Sequence, residues 1–191
     1  MGTTRIIFLE GRKTILRPLH TSDAPVLVRW MNDPEVRRFI SRITPVSEGA
    51  EKAWMESLDR RTEDIVLMVE TKEGVPIGVM GIHKIHWQNR TATTGAALGE
   101  KTYWGKGFGQ DAKMALLRYA FHTLNLRKIC SVCYAFNHRS AAYNLKCGYR
   151  IEGRRRKQAY RNGKYHDEIL LAIFREWFDR KWKKYQRTGK L

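Results

Sequence analysis

Tyr103-Trp104-Gly105-Lys106-Gly107-Phe108-Gly109 stands between two different sequence patterns, and its reading decides the rest of the chain. Before it, Thr91 to Gly99 is a β-rich run that ends in Ala96-Ala97-Leu98. After it, Ala112, Leu116, Tyr119 and Ala120 recur on one helical face. A glycine-rich connection from strand to helix gathers several backbone N–H groups at the positive end of a helix dipole, which makes a site for phosphate. Gly105, Gly107 and Gly109 let the backbone approach a ligand, and Lys106 adds a positive charge. Three glycines alone are equally consistent with a plain connection. A nucleoside triphosphate loop would need Gly-Lys-Ser/Thr, and a dinucleotide fold would need a βαβ unit with an acidic residue on its next strand; neither pattern is here.

Working outward, Thr14 to Leu19 reads as a strand, and Ser22 or Asp23 offers an N-cap for a helix carrying Val26, Leu27 and Trp30. Pro34 suits a first helical position, and a further helix begins at Ser47 with Ala50, Trp54, Met55 and Leu58. Ile65 to Val69 and Pro76 to Trp87 are strands, the second turning at Gln88-Asn89-Arg90 into Thr91 to Gly99. Beyond the loop helix, Ile129 to Tyr134 is a strand and Ser140 to Lys146 a short helix stopped at Gly148. Tyr149 to Tyr160 and Lys164 to Phe174 form a hairpin, for which Asn162-Gly163 supplies the positive φ values. Arg175 to Gln186 closes the chain as a basic, aromatic helix. This order predicts an α+β domain on a mixed, mostly antiparallel sheet.

The 191 residues are expected to form one domain, 1–191, with 42% hydrophobic residues supplying its core. Lys and Arg number 36 against 19 Asp and Glu, a net charge of +17, which favours anionic partners. No apolar run is long enough to span a bilayer. The N-terminus lacks a hydrophobic signal region and a small-residue cleavage site, and three cysteines suit a reducing compartment, so a cytoplasmic location is expected. Cys130 and Cys133 have metal-like spacing, but residues three apart on a strand face opposite ways. With no second pair, no metal site is expected.

The loop followed by its helix resembles the acetyl-CoA pyrophosphate loop of the GNAT superfamily of N-acetyltransferases, RimJ/RimL-like branch. The resemblance extends to Asn137-His138-Arg139-Ser140, to Lys146-Cys147-Gly148-Tyr149-Arg150-Ile151-Glu152-Gly153 and to Tyr160 through Asp167, and covers roughly Lys13 to Phe174. It implies acetyl-CoA as cosubstrate and a V-shaped split between two parallel strands, those ending at Leu98–Gly99 and around Ile129–Tyr134. It implies that Ala97, Leu98 and Gly99 meet the pantetheine amides, that Trp104, Gly105, Lys106, Gly107, Phe108, Gly109 and Gln110 cradle the pyrophosphate, and that Asn137, Asn144 and Lys146 complete the cofactor contacts.

Acetyl transfer to an amine needs a neutral nucleophile and a proton for the departing thiolate. The family's usual tyrosine position, seven residues after Asn137, holds Asn144. Tyr143 stands one residue earlier, turned by about 100° on a helix. Ser140 matches a serine given the acid role in RimL-like members. The positions of the family carboxylates hold Thr93 and Ala159, so His83 and His86 are the candidate bases, acting directly or through water. The expected activity is direct acetyl transfer, in a ternary complex, to a primary amine. A protein N-terminus or an amino sugar is preferred, since a polyamine would want an acidic pocket. The missing carboxylates leave one rival, a non-catalytic acyl-CoA-binding protein docked on RNA or a ribosome.

Arg154-Arg155-Arg156-Lys157 and Lys181-Trp182-Lys183-Lys184-Tyr185 form a dense basic region. A solvated face is the plain reading; the alternative is contact with RNA or a ribosome, the rings stacking on bases. Whether the chain is a monomer or a homodimer is left open by its residues.

Overall fold

The computed structural model describes residues 6–191. Its strands are β1 (Leu9–Glu10), β2 (Thr14–Pro18), β3 (Ile65–Thr71), β4 (Pro76–His86), β5 (Thr91–Leu98), β6 (Lys128–Tyr134), β7 (Arg150–Arg161) and β8 (Lys164–Phe174). The helices are α1 (Ala24–Asn32), α2 (Pro34–Arg37), α3 (Glu48–Leu58), α4 (Phe108–Arg118), α5 (His138–Lys146) and α6 (Arg175–Thr188). The strands hydrogen-bond in the order β1-β2-β3-β4-β5-β6-β8-β7. The β1–β2, β2–β3, β6–β8 and β7–β8 pairs are antiparallel, and β5–β6 is parallel. That parallel ladder runs only from Thr91–Lys128 to Thr93–Cys130, although β5 continues to Leu98 and β6 to Tyr134. The expected mixed sheet and its parallel pair are therefore present. The chain packs as two compact units, 6–81 with Ala96–Leu116, and Ile82–Gly95 with Leu117–Leu191.

In the first unit, Leu27 and Trp30 of α1 pack with Met55 of α3 and Met68 of β3 in one buried cluster. Local signals start the helices. Ser47 Oγ accepts the Ala50 N–H at 3.2 Å to cap α3, and the Asp33 carboxylate accepts from Glu35 and Val36 ahead of α2. The cap foreseen at Asp23 differs. Its carboxylate is drawn into a two-pronged bond with Arg17, 2.8 Å on each arm, while Arg17 Nε reaches Glu70 at 2.6 Å. A bidentate charged pair outcompetes a single cap bond, so α1 starts from a short 3-10 turn, Thr21–Asp23, without a side-chain cap.

Asp111, in the first turn of α4, is 2% exposed. Its Oδ1 accepts the Arg12 N–H, and its Oδ2 accepts the N–H groups of Lys13 and Thr14, each at 2.8 Å. Thr14 Oγ1 donates to the same Oδ2 at 2.7 Å. The turn between β1 and β2 is thereby fastened to the helix that follows the glycine loop. Gly11 is needed there, because a Cβ would fall 2.2 Å from Asp111 Oδ2.

In the second unit, β6 and β8 pair from Lys128–Phe174 to Tyr134–Glu168. The β7–β8 hairpin closes at Asn162 and Gly163, with φ of 49° and 80°, as the Asn-Gly pair foretold. Helix α6 buries Phe178, which packs against Phe121 at 5.3 Å between centroids, and Gly189 at φ 66° ends it.

Removing the Asp111 carboxylate leaves its buried donors without an acceptor. Asp111→Ala is expected to cost about 3 kcal/mol of stability, read as a lower urea midpoint at unchanged slope. A loss below about 1 kcal/mol would show that the turn finds other acceptors.

Candidate active site

The glycine loop adopts the conformation its sequence suggests. Gly105 and Gly107 have φ of 75° and 87°, a region costly for residues with a Cβ. They deliver the chain into α4 at Phe108. The first N–H groups of α4 have no intrahelical acceptor by construction, so they form a row of donors beside the dipole's positive end. Lys106 is exposed. Lys13, absent from the sequence-based assignment, belongs to the same place: its Nζ donates to Lys106 O at 3.1 Å and stands 5.6 Å from the Phe108 ring centroid. Nothing local to Lys13 signals this, since Asp111 brings it there from nearly a hundred residues away.

Two indoles shape the strand end before the loop. Trp104 Nε1 donates to Leu98 O at 2.7 Å, which uses one of the two lone pairs of that carbonyl. Gly99 is buried beneath Trp30, where an added Cβ would stand 2.0 Å from the ring. Trp30 Nε1 donates to Glu100 at 2.9 Å, and Arg29 pairs with the same carboxylate. Ala97 is half-buried on β5, Gly109 and Gln110 half-buried in the first turn of α4.

In the second unit, Asn137 caps α5, its Oδ1 accepting the Ser140 N–H at 3.1 Å. Burial raises the pKa of the Cys133 thiol, an effect the neighbouring Ser140 side chain partly offsets. Asn144 is buried; Nδ2 donates to Ser140 O at 2.9 Å, while Oδ1 has no hydrogen-bond partner among the described residues. Lys146 is exposed in the last turn of α5. The Tyr143 hydroxyl is buried, and that burial, with Cys147 and Tyr149 nearby, holds the phenol well above its ordinary pKa. The tyrosine is therefore directed at its own unit's interior, next to Cys147 and Tyr149.

The two histidines separate. His83 on β4 is half-buried against Gly95, where a Cβ would lie 3.4 Å from its ring. His86 is exposed, and its Nδ1 accepts the Asn89 N–H at 3.1 Å, so it braces the β4–β5 turn. That turn leads into Thr91, paired with Lys128 at the start of β6, whereas Ser140 follows the far end of β6. Among the described residues no group of three or more His, Cys, Asp or Glu side chains is placed to hold a metal ion, and no helix is long and apolar enough to cross a membrane.

The profile of the acetyltransferase (GNAT) domain matches residues 13–150. The chain belongs to the GNAT acetyltransferase family. It is 29% identical over 172 residues to "Uncharacterized N-acetyltransferase p20" of Bacillus licheniformis, covering 87% of this chain and 96% of that protein. To the Bacillus subtilis (strain 168) protein named "Putative ribosomal N-acetyltransferase YdaF" it is 31% identical over 106 residues, 55% of this chain and 57% of the other. A solved structure, the spermidine N-acetyltransferase from Vibrio cholerae in complex with CoA and spermine, superposes with a TM-score of 0.82 at 21% identity, over 87% and 98% of the two chains. At that identity the likeness is one of fold. GNAT membership makes the chain an N-acetyltransferase and sets aside a purely non-catalytic binding role.

The packing of Trp30 on Gly99 is testable in this GNAT enzyme. Gly99→Ala must displace the indole, and overpacking of this kind is expected to cost about 1–3 kcal/mol, measured by chemical denaturation. Unchanged stability would mean that the indole has room to move aside.

Proposed function

We propose that this GNAT enzyme is of the RimJ/RimL-like branch and works in the cytoplasm as one catalytic domain. It transfers the acetyl group of acetyl-CoA directly to a primary amine, a protein N-terminus or an amino sugar, in a ternary complex. The observation that carries this reading is the glycine loop, with Gly105 and Gly107 at positive φ and Lys13 laid against Lys106. Its row of backbone donors and two lysines suit a pyrophosphate. Residues Trp104 to Gln110 hold that group, and the main-chain groups of Ala97–Gly99 pair with the pantetheine amides. Asn137 through Nδ2, Asn144 through its unpartnered Oδ1, and Lys146 complete the contacts.

In the reaction the neutral amine attacks the thioester carbonyl, the new C–N bond forms, the C–S bond breaks and the sulfur leaves as thiolate. Ser140, at the start of α5 beside the Asn137 cap, returns a proton to that sulfur. His83 takes the amine proton through water. A polyamine acceptor is disfavoured by the charge balance, 36 Lys and Arg against 19 Asp and Glu, since it would want an acidic pocket. The excess of positive charge favours an acceptor presented on an RNA-bearing partner.

Acetyl-CoA at a hundredfold excess over Kd is expected to stabilise the protein by about 2.7 kcal/mol. Gly107→Val should abolish that gain, since its φ of 87° is one that a residue with a side chain rarely adopts, so the loop must rearrange. A melting curve unmoved by millimolar acetyl-CoA would overturn the cosubstrate.

Thiol release should require an amine acceptor and rise with pH as the amine loses its proton. Ser140→Ala should lower kcat by roughly 10²-fold with acetyl-CoA affinity kept. Turnover with spermidine but with neither peptides nor amino sugars would overturn the acceptor class.

A further inference from the structure

Gly148, Arg150, Trp177, Arg180, Lys181 and Lys184 line a cavity of about 330 Å³ beside α6 in the second unit. Four of these six are cations and none is acidic. Neighbouring cations are matched: Lys128 pairs with Glu152 at 2.8 Å, Arg154 with Asp167 at 2.7 Å and Arg155 with Glu168 at 3.4 Å. No ion pair reaches Arg150, Arg180, Lys181 or Lys184 among the described residues; Arg180 Nε donates only to a backbone oxygen, that of Glu176. Cations in a helix's last turn are explained by its dipole. That account does not extend to Arg180 and Lys181, which lie mid-helix, or to Arg150 on a strand. Four like charges around one hollow repel each other until an anion enters.

We propose that this groove binds single-stranded RNA. Trp177, Arg180, Lys181 and Lys184 are spaced i, i+3, i+4 and i+7, so they share one helix face and extend along about 10 Å of it. The Arg150 guanidinium lies 3.9 Å from the Trp177 centroid, and Phe174 meets the same indole edge-on at 4.9 Å. Arg150 is exposed, and a guanidinium held this close over an aromatic ring offers a platform on which an unpaired base stacks, with the three α6 cations placed for phosphates. A bilayer is the poorer partner, because α6 contributes none of the exposed large apolar side chains that would insert into it.

The same structure moves the site away from the ring expected to stack. Trp182 is covered on Phe178 at 5.7 Å and beneath Arg118 at 5.5 Å. The groove meets α5 only just past its C-terminal end, at Gly148, and lies away from Ser140 in its first turn. Arg150 is in register with Ala172 and so with Cys130, near the Lys128–Phe174 end of β6 and β8, whereas Ser140 follows the Tyr134–Glu168 end. The proposal therefore does not rest on the role of Ser140 or on the acceptor assigned above.

The test is fluorescence anisotropy with a labelled single-stranded RNA 12-mer over a range of salt, using the full chain. The variant R180S/K181S/K184S should weaken binding at least tenfold and make the logarithmic salt slope shallower by about 2, at about 0.7 for each phosphate that no longer meets a cation. R150K keeps the charge but not the plane, and should weaken binding several-fold at unchanged slope. K183S/R187S/K190S removes equal charge from the same end of the chain and should weaken binding much less. Thiol release should be the same in all of them. The proposal is overturned if the wild type does not bind at physiological salt, or if both triple variants lose affinity equally, which would mean diffuse charge only. Displacement of the RNA by acetyl-CoA would equally overturn it, since the groove would then belong to the cosubstrate.

Discussion

A single carboxylate fixes the backbone around the glycine loop. An acidic residue in the first turn of a helix complements the helix dipole, and Asp111 also fastens the turn ahead of β2. Both its oxygens are occupied by the turn from Arg12 to Thr14. Four donors satisfy it, and the same bonds bring Lys13 to the loop. A buried anion thus places a cation beside the glycines. The tight fit at Gly11 follows, because the turn approaches Asp111 more closely than a side chain would allow.

Rigid indoles do the corresponding work at the strand end. Trp30 lies on Gly99 and is anchored to Glu100; Trp104 is anchored to Leu98 O. Each ring joins a hydrogen bond to a large packed surface, which leaves the backbone between Leu98 and Trp104 little freedom. The proposed use of the loop's main-chain donors depends on that, since their geometry is set by the backbone rather than by adjustable side chains.

What was legible in the sequence was local. Ser47, Pro34, Asn162-Gly163 and the glycine loop act through neighbours a few residues away, and each element lies where its signal put it. What was hidden acts across the chain. Asp111 and Thr14 are 97 residues apart, and no periodicity in either segment announces the other. Asp23 looked like a cap because its local position suits one, yet Arg17 claimed it. Tyr143 and Asn144 were readable as neighbours one helical step apart, but that both bury their polar ends depended on packing from elsewhere, with Cys147 and Tyr149 beside the phenol. His86 carried a readable signal, an imidazole three residues before a turn asparagine, which marks a turn brace as well as a candidate base.

Strand β7 lies at one end of the strand order and exposes Ile151 and Tyr160. Such an edge offers unpaired backbone groups to any extended chain that meets it. Here it carries Arg154, Arg155, Arg156 and Lys157 in succession. Its register is also broken between Arg155 and Ala159, where Lys157 takes a φ of 49°. A bulged, densely charged border is a poor template for another strand. The basic run that first reads as a binding surface is thus also a guard along β7 against one sheet extending another.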